Sequence, residues 1–278
     1  MSNPLWPITL PHDASLHGHR VDAVLGYLTV STGAVFAAMA AVLLVAVLFH
    51  RGRTRQARYT HGARTRDRLV AAAAGAVVLF GIDAVAVMRT ADQLRLGFWR
   101  YPDADPSALR VEVTGQQWAW SFRYPGADGQ FETADDIVTL NELRVPLNRP
   151  VYLQLTSKDV VHSFYLPNFR NKIDVIPGTI TRMWFQPQET GVFEIACAQH
   201  CGAWHYKMRG ELAVMEEGPF VAWSARAAAD TALRASAATL VGSAGTTQPA
   251  DGTSGGAGAM SSATASVPSD GWTWTSSP

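Results

Sequence analysis

Residues 23–49 form a run of 27 positions without one charged side chain, dominated by Ala, Val and Leu. A helix of that length spans the hydrocarbon core of a bilayer with some tilt. A second run, residues 69–88, is interrupted only by Asp83. Between them lies HRGRTRQARYTHGARTRDR (50–68), with seven arginines and one aspartate. A short arginine-rich loop stays in the cytoplasm. The two spans (23–49 and 69–88) therefore make a transmembrane hairpin over residues 23–89, and both the outer segment 1–22 and everything after residue 89 lie outside. A cleavable signal peptide fits poorly, because 22 hardly basic residues precede the first run and the arginines follow it. Asp83 is costly in hydrocarbon. It either points toward a partner subunit or sits near enough to the outer interface to be solvated.

Residues 90–226 read as one soluble domain. Short runs enriched in β-branched and aromatic residues, among them RVEVT (110–114), QWAWSFRY (117–124), VYLQLT (151–156) and VFEIACA (192–198), are separated by turn signals such as YPGADG and PLNRP. That spacing predicts an all-β sandwich or small Greek-key barrel. From residue 227 to 278 the composition shifts to Ala, Gly, Ser and Thr, with Trp272 and Trp274 as its large aromatics, and the segment reads as a disordered tail. The formal net charge of zero argues against nucleic acid as a partner.

The chemistry concentrates in CAQHCGAWHYKM (197–208), which holds the chain's only two cysteines, Cys197 and Cys201, followed by His205 and Met208. Thiolate, imidazole and thioether together select copper, and a weak axial Met marks copper electron-transfer sites. One copper would not use both thiolates. Two sulfurs flanking a tight turn can instead lie between two metals, each then needing one further nitrogen. His162, in SKDVVHSFYLPNF (157–169), is the best second imidazole. A disulfide between the cysteines and a Cys2His2 zinc site are the competing readings, and zinc leaves Met208 without a role. His200, between the cysteines, should turn away from the metals to the surface.

On these blocks, together with GQQWAWSFRY (115–124), DVIPG (174–178) and the two spans, the chain resembles subunit II of the haem-copper cytochrome c oxidases over roughly residues 20–220. The resemblance implies a cupredoxin-like Greek-key barrel carrying a binuclear copper centre, CuA. Its ligands would be His162, Cys197, Cys201, His205 and Met208, with the backbone carbonyl of Gln199. It implies electron entry at Trp118, as an exposed indole, from a c-type cytochrome, and delivery to haem in subunit I, where oxygen is reduced and protons are pumped. It also implies a bacterial-type inner membrane, with the copper domain on the outer face and other oxidase subunits as partners. Trp120, two residues from Trp118, is expected in the core. Some relatives carry a covalent haem c domain at the C-terminus. This chain has no Cys-x2-Cys-His, so none is expected.

The chain departs from the family pattern at several positions. Gln199 stands where many relatives have a glutamate that helps hold magnesium at the subunit boundary. An amide is a weaker ligand for a hard cation, so the magnesium is doubtful here. Arg123 and Lys158 stand where relatives carry acidic docking residues. Residues 90–226 hold 16 acidic against 13 basic side chains, a net of −3, which steers a basic cytochrome only weakly. Asp67 lies near the place where some relatives carry an acidic entry to a proton channel, but its arginine neighbours make a solvated salt bridge as reasonable. The loop DGQFETADD (128–136), with Asp128, Glu132, Asp135 and Asp136, reads as a solvated loop, with calcium binding or an acidic docking face as alternatives.

Overall fold

The computed structural model describes residues 10–51, 62, 64–102 and 105–244. The first span is a helix over Gly18–His50, and the second runs over Thr65–Gln93. Each is longer than its charge-free run because the helices continue into polar flanks. Neither is buried by the rest of the chain, as befits helices whose solvent is lipid. Most of the arginine loop between them lies outside the described residues.

The second helix widens into a π-helical stretch at Val77–Asp83, which the apolar pattern alone did not foretell. The Tyr27 hydroxyl of the first span donates to the Gly81 and Ile82 carbonyls there, at 2.9 and 3.2 Å. A π-turn misaligns backbone acceptors, and a neighbouring hydroxyl compensates in a medium without water. Asp83, at the end of this stretch, is exposed on the hairpin.

The β domain is a sandwich of two five-stranded sheets. One sheet has the order β3 (Ile137–Leu140), β2 (Ala119–Tyr124), β1 (Leu109–Gln116), β5 (Val151–Ser157) and β8 (Thr181–Phe185). The other runs β4 (Glu142–Pro146), β10 (Arg209–Met215), β9 (Gly191–Cys197), β6 (His162–Leu166) and β7 (Asn171–Val175). Pairing is parallel between β1 and β5 and between β4 and β10, and antiparallel elsewhere. Non-sequential neighbours and parallel pairs give the Greek-key wrapping of a cupredoxin-like barrel.

Alternation builds the core. On β1, Val111 and Val113 point inward, and on β2 Trp120, Phe122 and Tyr124 do so. They meet Leu143, Phe164, Ile195 and Leu212 of the other sheet. Trp120 is fully buried, edge-on to Phe164 at 5.1 Å, as the sequence suggested. The Tyr124 hydroxyl accepts the Arg144 N–H at 2.8 Å and donates to the Arg144 carbonyl at 3.1 Å, tying the two sheets together.

Two terminal segments extend the domain. Residues 10–17 lie along the barrel, where Ala14 is buried and Ser15 bridges to Pro187. At the other end a helix covers Glu217–Ala244. Phe220 of this helix enters the core, and Trp223, Ala227 and Ala228 pack against it. The helix carries regular structure past the expected boundary at 226 as far as Ala244, an alanine-rich sequence of high helix propensity pinned by two aromatics, and the rest of the expected tail lies outside the described residues. Trp272 and Trp274 lie outside the described residues. The 128–136 loop is largely self-satisfied, since Asp135 accepts the Ala127 N–H, Asp136 accepts the Glu132 N–H, and Arg123 lies 3.5 Å from Asp136.

Replacing Trp120 with alanine removes a buried ring that the other sheet cannot collapse onto. We expect a loss of about 3–5 kcal/mol in chemical denaturation, as for other buried aromatics truncated to alanine.

Candidate metal centre

The sulfur-rich loop joins β9 to β10 at one end of the sandwich. Its base is closed where the Cys197 N–H donates to the Met208 carbonyl at 3.1 Å, so the first cysteine and the methionine face each other across the hairpin. Within the loop the Cys197 and Cys201 sulfurs lie 3.7 Å apart, and both are free thiols. A disulfide requires about 2.05 Å. Cys201 Sγ also lies 3.6 Å from Nδ1 of His205 and 3.7 Å from Sδ of the fully buried Met208. The Gln199 carbonyl turns inward and accepts from Cys197 Sγ at 3.2 Å, while its side chain is exposed.

His162 comes from the other side. It opens β6, opposite Val175 of the DVIPG block in the register with β7, and is fully buried. A ring nitrogen of His162 and the two cysteine sulfurs all lie within 4.8 Å of one another. Its Nε2 donates to the Asp159 carboxylate at 2.9 Å, leaving Nδ1 buried without a hydrogen-bond partner. An orphaned imidazole nitrogen beside two thiols is an unmet requirement in a closed site, and a metal meets it. Gly115 of the GQQW block makes room for this ring, because a Cβ there would come within 3.1 Å of His162 and 3.0 Å of Trp120.

Asp159 is a residue that sequence reading missed. Besides the imidazole, it accepts the backbone N–H groups of Gln117 and Val160, at 2.7 and 2.6 Å. Burial opposes its charge, but the hydrogen bonds from Gln117, His162 and Val160 prevail and hold the carboxyl below its ordinary range. The signal available was an acidic residue three positions before the candidate histidine. Gln117 also reaches the loop, donating through its side chain to the Cys201 carbonyl at 2.8 Å. Burial, then the neighbouring Cys197 thiol, push the Cys201 thiol up to about 12. A neutral thiol therefore occupies the metal-free loop at physiological pH, and an incoming cation must displace its proton.

The donor set is thus two thiols, two imidazoles, a thioether and a carbonyl, and soft donors of this kind suit copper. His200 is exposed, as expected. Trp118 is placed otherwise than expected: it is half-buried, its Nε1 is shielded from water, and Trp204 of the loop lies over it with ring centroids 5.2 Å apart. Gly202 permits that stacking. Its φ is +124°, and a Cβ would press on Gln117 at 2.8 Å and on Trp118 at 3.2 Å.

Two apolar spans bearing a sandwich with such a loop at one end define a membrane-anchored, cupredoxin-like protein with its domain on the outer face. Residues 109–214 match the family model described as "Cytochrome C oxidase subunit II, periplasmic domain". The alternative cytochrome c oxidase subunit 2 of Bradyrhizobium diazoefficiens is 35% identical over 216 residues, covering 69% of this chain and 74% of that protein. Cytochrome c oxidase subunit 2 of Cereibacter sphaeroides is 28% identical over 238 residues, covering 74% of this chain and 75% of that one. Among solved structures, the periplasmic domain of subunit II of the Bradyrhizobium japonicum cytochrome oxidase is 32% identical, covers 44% of this chain and 95% of its own, and gives a TM-score of 0.40. The chain belongs to the cytochrome c oxidase subunit II family.

Because Asp159 fixes the tautomer and orientation of His162, Asp159→Ala should weaken copper binding about 10–100-fold, the usual effect of losing such a partner. Competition against a chelator measures this, and an unchanged circular dichroism spectrum should show the sandwich intact.

Proposed function

We propose that this chain is the electron-entry subunit of a proton-pumping haem-copper cytochrome c oxidase in a bacterial-type inner membrane, and that its loop holds a binuclear copper centre. The residues that would hold it are His162 and His205 through Nδ1, the thiolates of Cys197 and Cys201, the Met208 thioether and the Gln199 carbonyl. Bound there, a copper pair supplies one-electron redox chemistry between Cu(I) and Cu(II). The single observation that carries this reading is the buried, unpartnered Nδ1 of His162 in a cluster whose other members are two free thiols. A lone copper or a zinc would not draw on both sulfurs and the thioether together.

The protein's part in electron transfer is to hold donors still. Cys197 and Met208 are fixed by the β9–β10 hydrogen bond, His162 by β6 and Asp159, and the Cys201 carbonyl by Gln117. A ligand shell that does not rearrange keeps reorganisation small when the charge changes. Trp118 lies beneath Trp204 at the side of the loop, and the chain would take electrons through it from a c-type cytochrome and pass them to haem in subunit I. Gln199 is exposed, and its amide is a weak ligand for a hard cation, so a magnesium at the subunit boundary forms no part of this proposal.

Metal analysis of the purified oxidase should give two coppers in this subunit, and electron paramagnetic resonance should show one unpaired electron shared over two copper nuclei. Cys197→Ser or Cys201→Ser should abolish the shared-spin signal. Native zinc, or one copper, would sink the assignment. Trp118→Gln should slow reduction by cytochrome c strongly and leave the copper signal in place.

A further inference from the structure

The outer end of the membrane hairpin carries positive charge that the metal centre does not use. Arg20 lies in the first turn of the first span, and Arg95 and Arg100 lie in and just after the Leu94–Phe98 turn that ends the second. Arginines beside a span are normally kept on the cytoplasmic side. Among the described residues none of these three is ion-paired. The acids nearby in sequence are engaged elsewhere: Asp22 pairs with Arg170, and Asp13 accepts from the Ser15 N–H and hydroxyl.

Arg20 and Arg100 converge on a cleft of about 520 Å³ between the hairpin and the barrel, lined also by His17, Tyr101, Trp184 and Gln186. Its walls are held together. His17 stands edge-on to Trp184 of β8 with ring centroids 5.4 Å apart, and a Cβ on Gly97 would lie 3.8 Å from His17, so both span ends meet beside β8. The Tyr101 hydroxyl donates to the Arg182 carbonyl of the same strand at 3.4 Å.

This lining is short of acceptors. Trp184 Nε1 and His17 Nδ1 are buried without a hydrogen-bond partner, a cost that a bound group can relieve. Burial, then the neighbouring Arg20 and His19, hold the His17 imidazole below its ordinary range, so it is neutral at physiological pH. Among the described residues Asp105 is the one carboxylate on the lining, and its Oδ1 is taken by the Ser107 N–H and hydroxyl at 2.8 and 2.6 Å. Two guanidinium groups and an indole N–H thus share the cleft with one engaged carboxylate. Such a lining suits a compact anion with several acceptor oxygens, as a phosphate is.

Depth selects the source of that phosphate. The cleft opens where the first span begins and the second ends, the level of phospholipid headgroups. Trp99, next to Arg100, is 64% exposed, and exposed indoles gather at this level of a membrane. We propose that the cleft binds the phosphate of an anionic phospholipid in the outer leaflet, with Arg20 and Arg100 as its charged contacts. The lipid is the missing counter-ion of both arginines, and it fills the junction between hairpin and barrel without touching the metal loop.

The test uses the intact oxidase in nanodiscs of phosphatidylcholine with increasing shares of phosphatidylglycerol, read by hydrogen exchange in peptides covering residues 17–20 and 97–101. Phosphatidylglycerol should slow exchange there, and phosphatidylcholine alone should not. Arg20→Gln and Arg100→Gln should each raise the share needed for half-protection about fivefold, the scale of one arginine at an anionic surface. Arg95→Gln removes the same charge outside this cleft and should shift it by less than about twofold. Retention of the subunit in the purified complex shows that a variant has assembled. Inorganic phosphate added to phosphatidylcholine discs should give no protection, and protection equal to that by phosphatidylglycerol identifies a free-phosphate site and overturns the lipid assignment. An equal shift for Arg95→Gln reduces the effect to diffuse surface charge and overturns the site. Absence of protection by phosphatidylglycerol in the wild-type oxidase overturns it too, and that arm needs no variant to fold.

Discussion

One backbone hydrogen bond, from the Cys197 N–H to the Met208 carbonyl, sets the base of the metal loop. Because β9 and β10 are in register up to Ala196 opposite Arg209, the ten residues between Cys197 and Met208 must turn back within the width of one hairpin. The reversal crowds Cys201 against Cys197, His205 and Met208, and turns the Gln199 carbonyl inward. The one donor of the cluster left buried without a hydrogen-bond partner, Nδ1 of His162, costs free energy in a metal-free fold. That cost is tolerated because the strands flanking the loop belong to the core and hold its ends regardless.

The second half of the cluster depends on a different constraint. His162 is fully buried, and a buried imidazole can rotate between two faces unless something fixes it. Asp159 does so, and Gln117 then links Asp159 to the Cys201 carbonyl, so that three loops move as one body. Blocks far apart in the chain, GQQW, SKDVVH and the cysteine loop, meet here. Gly115 and Gly202 belong to the same arrangement, each at a point where a Cβ would push a neighbouring aromatic or imidazole ring aside.

Much of this was legible in the sequence, for physical reasons that differ from part to part. Long apolar runs report membrane spans because a charge in hydrocarbon is costly and therefore rare, as the lone Asp83 of the second span illustrates. Period-two alternation reports strands, and Trp120 and Phe122 faced inward as that period requires. Ligand types report chemistry wherever they lie close in sequence, as in the 197–208 loop. Contacts made across the fold carry no local pattern. Asp159 left only a weak local signal, an acid three positions before the histidine, because the turn after β5 is what brings it to the ring; the burial of Trp118 left none, because the ring that covers it, Trp204, lies 86 residues further along the chain. The C-terminal helix was missed for another reason: alanine-rich composition resembles a linker until Phe220 and Trp223 are seen to anchor it.

The N-terminal segment gives the site a fixed place relative to the membrane. The Ala14 N–H binds the Asn168 carbonyl and the Gln188 N–H binds the Ala14 carbonyl, at 2.9 and 2.8 Å, so residues just before the first span are stitched to the barrel. Asp22, in the first turns of that span, pairs with Arg170 through two contacts of 2.7 and 3.0 Å, and the Arg170 side chain is only 9% exposed. Desolvating two charges brings little net stability. What the pair does supply is direction, since a planar guanidinium held by both carboxylate oxygens admits few orientations. Electron transfer falls steeply with distance, so a swinging barrel would lose rate even with every ligand intact. Under the proposed electron-entry role, a strap at the start of the first span would serve transfer alongside the ligand loop, though it touches none of the donors.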